Sequence, residues 1–402
     1  MWSHLAAMMP GVAIRAFSYL LAPTAGQADR LGRLLDAQRE LYNAALEERR
    51  GAWRWERRRV SRYDQYRTLT GLREVRPDIL AWGVTVCRGT LSRLNEAFDG
   101  FYRRCQTGAA PGFPRFKAEG RWDSVSWPDS TGWKLDEGAK RLCVQGVGQL
   151  KVRLHRRLGG TPKTATVGRE GRKWRVTVFC AGVAARPLPP TGRQVGVDRG
   201  VSCLVATSDG VLVENPRHLA KSAQRLARRQ RALAAKQRRS GRRQRAAEAV
   251  SRTHRKVANQ RRDLLHKLSR RLVDDYDLIA IEDLQVAGMT RSAKGTAARP
   301  GINVAAKSGL NRSILDAGWG ILERMLAYKA EDAGRQLVKV NPRHTSQRCA
   351  SCGHVAADNR AGADFECTAC GHRDHADLNA AINILRAGLA QRAKTREVHD
   401  AT

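Results

Sequence analysis

Between residues 27 and 50 apolar side chains recur at helical spacing, with Leu31, Leu34, Leu35, Leu41 and Ala45 on one stripe. Pro23 and Thr24 stand just ahead, where a helix start wants them. Residues 12–21 read as a β-strand, and a second helical region over 79–104 sets Leu91, Leu94, Phe98 and Phe101 on one face. A Gly/Pro-rich segment, 108–114, closes this helical part. From 122 to 183 the pattern shortens to alternating runs between turn residues. Residues 142–154 read as one strand, and 164–180 as a hairpin folded at Glu170-Gly171.

The segment 187–191 (PLPPT) reads as a linker, after which the chain starts a new unit. Strands over 194–198, 202–207 and 211–214, joined by tight connections, predict an antiparallel meander. A helical hairpin is expected over 221–271, with Gly241 near its middle. A strand follows at 277–282, a Gly/Ala/Lys-rich loop at 287–309 and a helix at 311–332. A strand at 336–341, a cysteine-rich insert and a helix at 376–391 complete the series. Meander, helix, strand, helix, strand, helix is the element order of a ribonuclease-H-like α/β layer.

Charge changes this picture most. The 402 residues carry 73 Lys+Arg against 38 Asp+Glu, a net charge of +35 that calls for a polyanionic partner, nucleic acid first. A hydrophobic content of 42% argues against wholesale disorder. No apolar run approaches 20 residues, so a membrane span is excluded from the reading. Four of the nine cysteines are clustered and five (Cys87, Cys105, Cys143, Cys180, Cys203) are scattered, which does not suit a disulfide-stapled secreted domain. The amino end lacks the pattern of a secretion signal, so a reduced, cytoplasmic protein is expected.

The surplus is densest over 221–271, where 19 Lys+Arg face only Glu248 and Asp263. Such a single-sign helix pair reads as a phosphate-tracking surface, with Arg228, Arg229, Arg238, Arg239, Arg242 and Arg243 as contacts. Its regular apolar stripe is Leu226, Leu233, Leu264 and Leu268. Trp53 and Trp55 lie among Arg49, Arg50, Arg54, Arg57, Arg58 and Arg59. Aromatics in a basic run suit base stacking, and core packing of one tryptophan is an equal alternative.

Cys349-Ala-Ser-Cys352 and Cys367-Thr-Ala-Cys370 are two C-x₂-C pairs 14 residues apart, each followed by Gly-His. Four thiolates fill a tetrahedral shell, so one structural Zn²⁺ is expected, with His354 and His372 read as knuckle histidines in preference to ligands. Asp198 ends the apolar strand Val195-Gly-Val-Asp198, Glu282 ends Leu278-Ile-Ala-Ile-Glu282, and Asp377 opens the last helix. An acid at the edge of an apolar strand is costly without a partner. Three acids meeting at one sheet end would hold two Mg²⁺ ions for phosphodiester hydrolysis. Asp283 and Asp374 are the neighbouring alternatives.

These pieces together resemble the TnpB family, RNA-guided nucleases encoded by insertion sequences and related to type V CRISPR effectors. The resemblance runs from about residue 12 to 387. It is carried by Gly112-Phe-Pro-Arg115-Phe-Lys117, Asp316-Ala-Gly-Trp-Gly320, Leu326-Ala-Tyr-Lys-Ala330, Pro342-Arg343-His-Thr-Ser-Gln347, the four cysteines and His375-Ala-Asp-Leu-Asn-Ala-Ala-Ile-Asn-Ile-Leu385. It implies that Asp198, Glu282 and Asp377 are split RuvC-type catalytic carboxylates. It also implies that a guide RNA lies in a basic channel between a helical and a RuvC lobe. Residues 1–11 precede the resemblance and are expected to be an extension ahead of a start at Met8 or Met9.

The expected fold is therefore multidomain α+β. A β-barrel wedge domain takes 1–22 and 117–190, and a helical recognition domain takes 23–116. A RuvC-like nuclease domain takes 191–347 and 372–392, with the basic hairpin at 217–272. The zinc ribbon takes 348–371 and a tail 393–402. The expected function is a Mg²⁺-dependent endodeoxyribonuclease, a monomer per RNA. It would bind guide RNA, read a short motif beside a double-stranded DNA target and cut at one RuvC site. Arg49, Arg50, Trp53, Arg54, Arg115, Lys117 and Arg343 join the hairpin arginines as expected nucleic-acid contacts. The alternatives are a non-cleaving RNA-guided regulator, a type V CRISPR effector, and an RNA-independent structure-selective nuclease or transposition accessory.

Overall fold

A computed structural model describes residues 12–296 and 298–400; the expected start at Met8 or Met9 lies outside them. The chain divides after Ala184 into two compact units.

The first unit opens with β1 (Val12–Ala22) and α1 (Ala25–Glu56). Thr24 caps α1 in a reciprocal box with Gln27, and the stripe read from the sequence (Leu31, Leu34, Leu35, Leu41, Ala45) is buried. The helix runs six residues past its expected end, so Trp53, Arg54 and Trp55 lie on its last turn. Short helices α2 (Arg62–Thr68), α3 (Leu72–Val75) and α4 (Pro77–Leu80) lead to α5 (Val84–Gln106). Six strands follow: β2 (Ser124–Trp127), β3 (Trp133–Asp136), β4 (Arg141–Val144), β5 (Gly148–Arg153), β6 (Thr161–Glu170) and β7 (Lys173–Ala184). The single strand expected over 142–154 is two, because the chain turns between Val144 and Gly148 and pairs β4 back on β5.

With β1 these strands form one sheet in the order β2-β6-β7-β1-β5-β4-β3. Its two outermost strands, β2 and β3, are separated by only residues 128–132. Laid flat, seven strands would put the outer pair about 29 Å apart at ~4.8 Å spacing. That link spans roughly 20 Å when fully extended. The sheet must therefore curl toward closure. Trp127 accordingly packs against the turn at Gly132, where an added Cβ would stand 3.3 Å from its ring. One core serves helices and sheet alike, from Leu34 and Leu91 to Trp127, Leu150 and Val178.

The second unit begins with β8 (Gln194–Asp198), β9 (Cys203–Thr207) and β10 (Leu212–Glu214), the expected antiparallel meander. The segment read as a linker is fastened to this unit: the Leu188 amide donates to the Ala333 carbonyl at 3.0 Å. Helices α6 (His218–Ala234) and α7 (Gly241–Asp275) form the basic hairpin. No residue of α6 is buried, whereas on α7 the expected Leu268 is buried beside Leu265 and Leu272, and Leu264 packs half-buried against the same core. Then come β11 (Leu278–Glu282), α8 (Val286–Met289), α9 (Val304–Ala317), α10 (Trp319–Ala333) and β12 (Gln336–Val340). The one helix expected over 311–332 is thus two, broken at Gly318, whose φ of 74° is left-handed. Three short strands, β13 (Arg360–Ala361), β14 (Asp364–Glu366) and β15 (Arg373–His375), build the ribbon. The last helix, α11 (Ala376–Asp400), continues through most of the segment expected to be a tail.

The five-stranded sheet has the order β10-β9-β8-β11-β12, with β8, β11 and β12 parallel. In order of appearance this is 3-2-1-4-5, the ribonuclease-H-like arrangement. Strands alternate faces with period two. Val195, Val197, Ile279 and Ile281 point to the side covered by α7 and α10. Leu278, Ala280 and Val340 point to α11 and its Ile384.

Candidate active site

The alternation that sorts the core also aims two acids. Gly196 and Ala280 face α11, so Asp198 and Glu282, two residues further on, face it too. Val197 and Ile281 are register partners on parallel strands, which puts the two acids side by side at the same sheet end. Gly196 is the reason α11 comes so close: a Cβ there would lie 2.0 Å from the Ala381 carbonyl oxygen and 2.6 Å from the Leu385 amide. The first turn of that helix carries Asp377, whose carboxylate lies near Gly200 just past the end of β8. All three acids are buried. The alternatives separate from them: Asp283 is exposed and lies within 4.0 Å of Lys339, and Asp374 belongs to the ribbon strand β15.

Burial and mutual repulsion mark this cluster electrostatically. Desolvation first, then the charges of Glu282 and Asp377, push Asp198 up to about 7. Desolvation likewise raises Glu282, against a hydrogen bond from Thr345 and the charges of Arg199 and Arg360. The Arg360 guanidinium, on ribbon strand β13, donates to Asp377 Oδ1 at 2.8 Å. Arg199 points to the opposite face with a fully buried side chain. There it donates to the Glu282 and Trp319 carbonyls and pairs with Glu323 at 3.2 Å, tying the ends of β8 and β11 together. A buried, crowded acid cluster with one guanidinium beside it is a site that favours cations.

The ribbon is built from two matching knuckles. The Cys349 and Cys367 amides donate to the His354 and His372 carbonyls at 2.8 and 2.9 Å, and the Gly353 and Gly371 amides return to Cys349 and Cys367. Both glycines sit at positive φ, 80° and 70°. The four sulfurs lie within 4.8 Å of one another. No other group of three or more donors among the described residues is gathered in this way. The carboxylates of the three acids are therefore not gathered as closely as the four sulfurs. The Cys367 thiol is drawn down to about 6, against desolvation, by the Cys370 and Ala369 amides and the neighbouring thiols. Cys370 is pushed up to about 12: the His372 amide opposes the rise, and the thiols of Cys352, Cys367 and Cys349 outweigh it. Four such sulfurs ionise together only around a cation, and their number and spacing fit a closed tetrahedral zinc shell. Two asparagines, Asn379 and Asn383, donate to the single Arg348 carbonyl at 2.8 and 2.7 Å and so lock the first knuckle onto α11.

The expected nucleic-acid contacts fall into two groups. Arg228, Arg238, Arg239 and Arg242 are exposed on the hairpin, as are Arg115 and Arg343 elsewhere. Arg229 and Arg243 are occupied within the hairpin. Arg229 donates to the Ala249 carbonyl at 2.9 Å, and Arg243 to the Leu233 and Lys236 carbonyls, closing the turn. In the first unit Arg49 lies over Phe98, Arg50 over Phe116 and Arg54 over Trp55, while the Lys117 ammonium lies over Tyr42. Trp53 is half-exposed, with Arg57 over its ring.

Sequence reasoning missed Arg360, Arg199, Thr345 and Asp316. The last accepts from the Leu219 amide and pairs with Arg261, both at 2.8 Å, pinning the base of the hairpin. Asp316 and Thr345 stood inside strings already singled out, and Arg199 directly follows a strand-end acid. Arg360 had no local signal.

Fold and acids together place the second unit in the ribonuclease-H-like class. Comparison with known proteins narrows this. Three family models match: "Probable transposase" of the IS605 OrfB type over residues 173–293, "Cas12f1-like, TNB domain" over 319–384 and "Helix-turn-helix domain" over 8–58. In this chain the described part of that last segment is one strand and one continuous helix. An Escherichia coli K12 protein with the provisional name RNA-guided DNA endonuclease InsQ is 40% identical over 302 residues, 75% of this chain and 73% of the relative. A Streptomyces pristinaespiralis protein provisionally named RNA-guided DNA endonuclease is 33% identical over 385 residues, 94% of this chain and 90% of the relative. Among solved structures, the mini-RNA-guided endonuclease CRISPR-Cas_phi3 matches in fold, with TM-score 0.50 at 10% identity over 96% of this chain and 94% of that one. The chain belongs to the TnpB family.

Proposed function

We propose that this protein is an RNA-guided DNA endonuclease that binds a guide RNA, pairs it with a double-stranded DNA target beside a short motif, and cuts at one acid site. The observation that carries this reading is the burial of Asp198, Glu282 and Asp377 on one face at one sheet end, in a chain whose relatives bear that name. Asp198, Glu282 and Asp377 would hold two Mg²⁺ ions, which when bound activate the attacking water and stabilise the leaving oxygen. The chain's own groups prepare the site. Thr345 orients the Glu282 carboxylate, Arg199 fixes the strand ends behind it, and Arg360 balances Asp377. Cys349, Cys352, Cys367 and Cys370 would bind one structural Zn²⁺ that keeps the ribbon, and with it Arg360, against α11. The exposed arginines of α6 and α7 would track phosphates.

In this reading the curled sheet is the wedge domain, the helices of the first unit the recognition domain, and one protein molecule serves one RNA. The test is to purify the chain with its RNA, sequence that RNA and supply a matched duplex with Mg²⁺. Cleavage by the parent is expected, and Asp198→Ala should abolish it with RNA binding intact. Cleavage surviving in that variant would overturn the assignment. RNA-dependent binding by the parent without cutting would make it a regulator.

A further inference from the structure

We infer that the first unit carries a capture pocket for a single unpaired nucleotide, formed by the end of α1, the end of α5 and the loop after α5. The inference rests on the proposed nucleic-acid-guided function and adds to it a site and a mode of contact, stacking on one base.

A cavity of about 710 Å³ opens there. This lies within the ~300–1,000 Å³ of small-ligand sites. Its floor is a set of edge-to-face rings, with Phe113 5.5 Å from Phe98 at 88° and 5.2 Å from Phe101 at 75°. Trp53 and Tyr102 stand at its sides. A ring cluster made only for packing would be covered. Here Phe98 alone is buried, while Trp53, Tyr102 and Phe113 are 49%, 52% and 44% exposed. Flat apolar faces left open beside cations are what an unstacked base seeks, and every base has such a face.

The charges agree. Arg54, Arg58 and Arg59 line the same cavity, against Glu47 and Asp99. Arg49, which also lines the cavity, is held by Gln65 through Nε and lies over Phe98, so a further cation stands against the ring set. At the edge, Asn95 donates to Asp99 Oδ2 at 2.9 Å, presenting an amide oxygen and a carboxylate to a base's own donors. The chain leaves α1 through Arg57, a non-glycine residue held left-handed at φ 51°, and the next two residues, Arg58 and Arg59, line the cavity, Arg58 paired with Glu56 at 2.7 Å. Such backbone is unfavourable and persists where the surroundings enforce it. A duplex fits this concave floor poorly, because its bases show no free face.

The test uses the full-length chain and a 12-nucleotide strand with one central 2-aminopurine, as RNA, as DNA and as each matched duplex. Quenching of the probe reports stacking, and anisotropy across a salt series reports affinity. The parent should quench the single strand and leave the duplex unquenched. Trp53→Ala and Phe113→Ala should lose the quenching and bind about 10–100-fold more weakly, with an unchanged salt slope. Arg54→Ala and Arg59→Ala should lower that slope, by about 0.7 for each phosphate no longer neutralised. Preferential quenching of RNA or of DNA identifies which strand supplies the base. Quenching that persists in both aromatic variants, or a salt slope that falls in Trp53→Ala as in the arginine variants, overturns the pocket. Trp53→Phe should restore binding, which separates stacking from a folding defect. A parent that cuts a matched target while both aromatic variants bind at full strength would sink the pocket alone. A parent that carries no RNA would sink the proposed function itself.

Discussion

Replacing Gly196 by alanine tests how the acid cluster is held together. The added Cβ would stand 2.0 Å from the Ala381 oxygen, where ordinary contact begins near 3.4 Å. The obstructing atoms are backbone of α11 and cannot rotate away, so the helix must retreat by about 1.4 Å or the strand must bend. Overpacking of this kind costs about 1–3 kcal/mol. For a unit of this size that corresponds to a fall in Tm of roughly 2–12 °C. Asp377 withdraws with the helix, and a ~1 Å misplacement at a reacting centre costs about 100-fold in rate. The assay pairs thermal unfolding with cleavage of a matched duplex. Gly309→Ala is the control, because it sits inside α9 with nothing within 4 Å and should gain up to about 1 kcal/mol. A Gly196→Ala protein that melts and cuts like the parent would refute the argument that this glycine sets the distance between Asp377 and the strands.

Four further outcomes are expected. Arg360→Ala removes the cation beside Asp377, so in Mg²⁺-free buffer with the ribbon's zinc retained the Tm should fall by the equivalent of about 1–3 kcal/mol, and added Mg²⁺ should narrow the gap; an equal gap with and without Mg²⁺ would contradict it. Cys367→Ser should reduce bound zinc, measured by mass spectrometry, from one per chain to well below one and lower the folding yield. The Lys329 ammonium is drawn down to about 8, first by desolvation and then by the Arg270 charge. Between pH 8 and 10.5 the unfolded chain then binds more protons than the folded one, so stability rises with pH there, and Lys329→Met should flatten that rise in a pH series of denaturant titrations. Substituting alanine for Arg238, Arg239 and Arg242 together should reduce the salt slope of duplex binding by up to about 2.7, whereas Arg229→Ala should act on stability, since its guanidinium is bonded across the hairpin.

What could be read from the sequence follows the range of the forces involved. The start and buried stripe of the helix over 27–50, the meander and the cysteine knuckles are specified by local periodicity and turn chemistry, and each appears where it was expected. The breaks were harder to read. Gly318 looked like one more residue of a helix until Arg261 and Leu265 of α7 were packed against it. The turn at 145–147 hid in a run that alternates well enough for one strand. At the acid site, strand-end position singled out Asp198 and Glu282, but the shared face depends on register, and the approach of Asp377 depends on Gly196. Arg360 could not be read at all, because its pairing arises only when the ribbon folds back on α11.

The placement of Asp377 also orders events in time. It is synthesised 179 residues after Asp198 and 95 after Glu282, and it joins them only once α11 has docked across β8. A nascent chain can therefore form the whole first unit and the basic hairpin while it still lacks a complete acid cluster. At ~5–20 residues per second that interval is several seconds. On the proposed function, the growing protein would engage RNA during that interval with no complete acid cluster, so assembly with a guide would precede the capacity to cut.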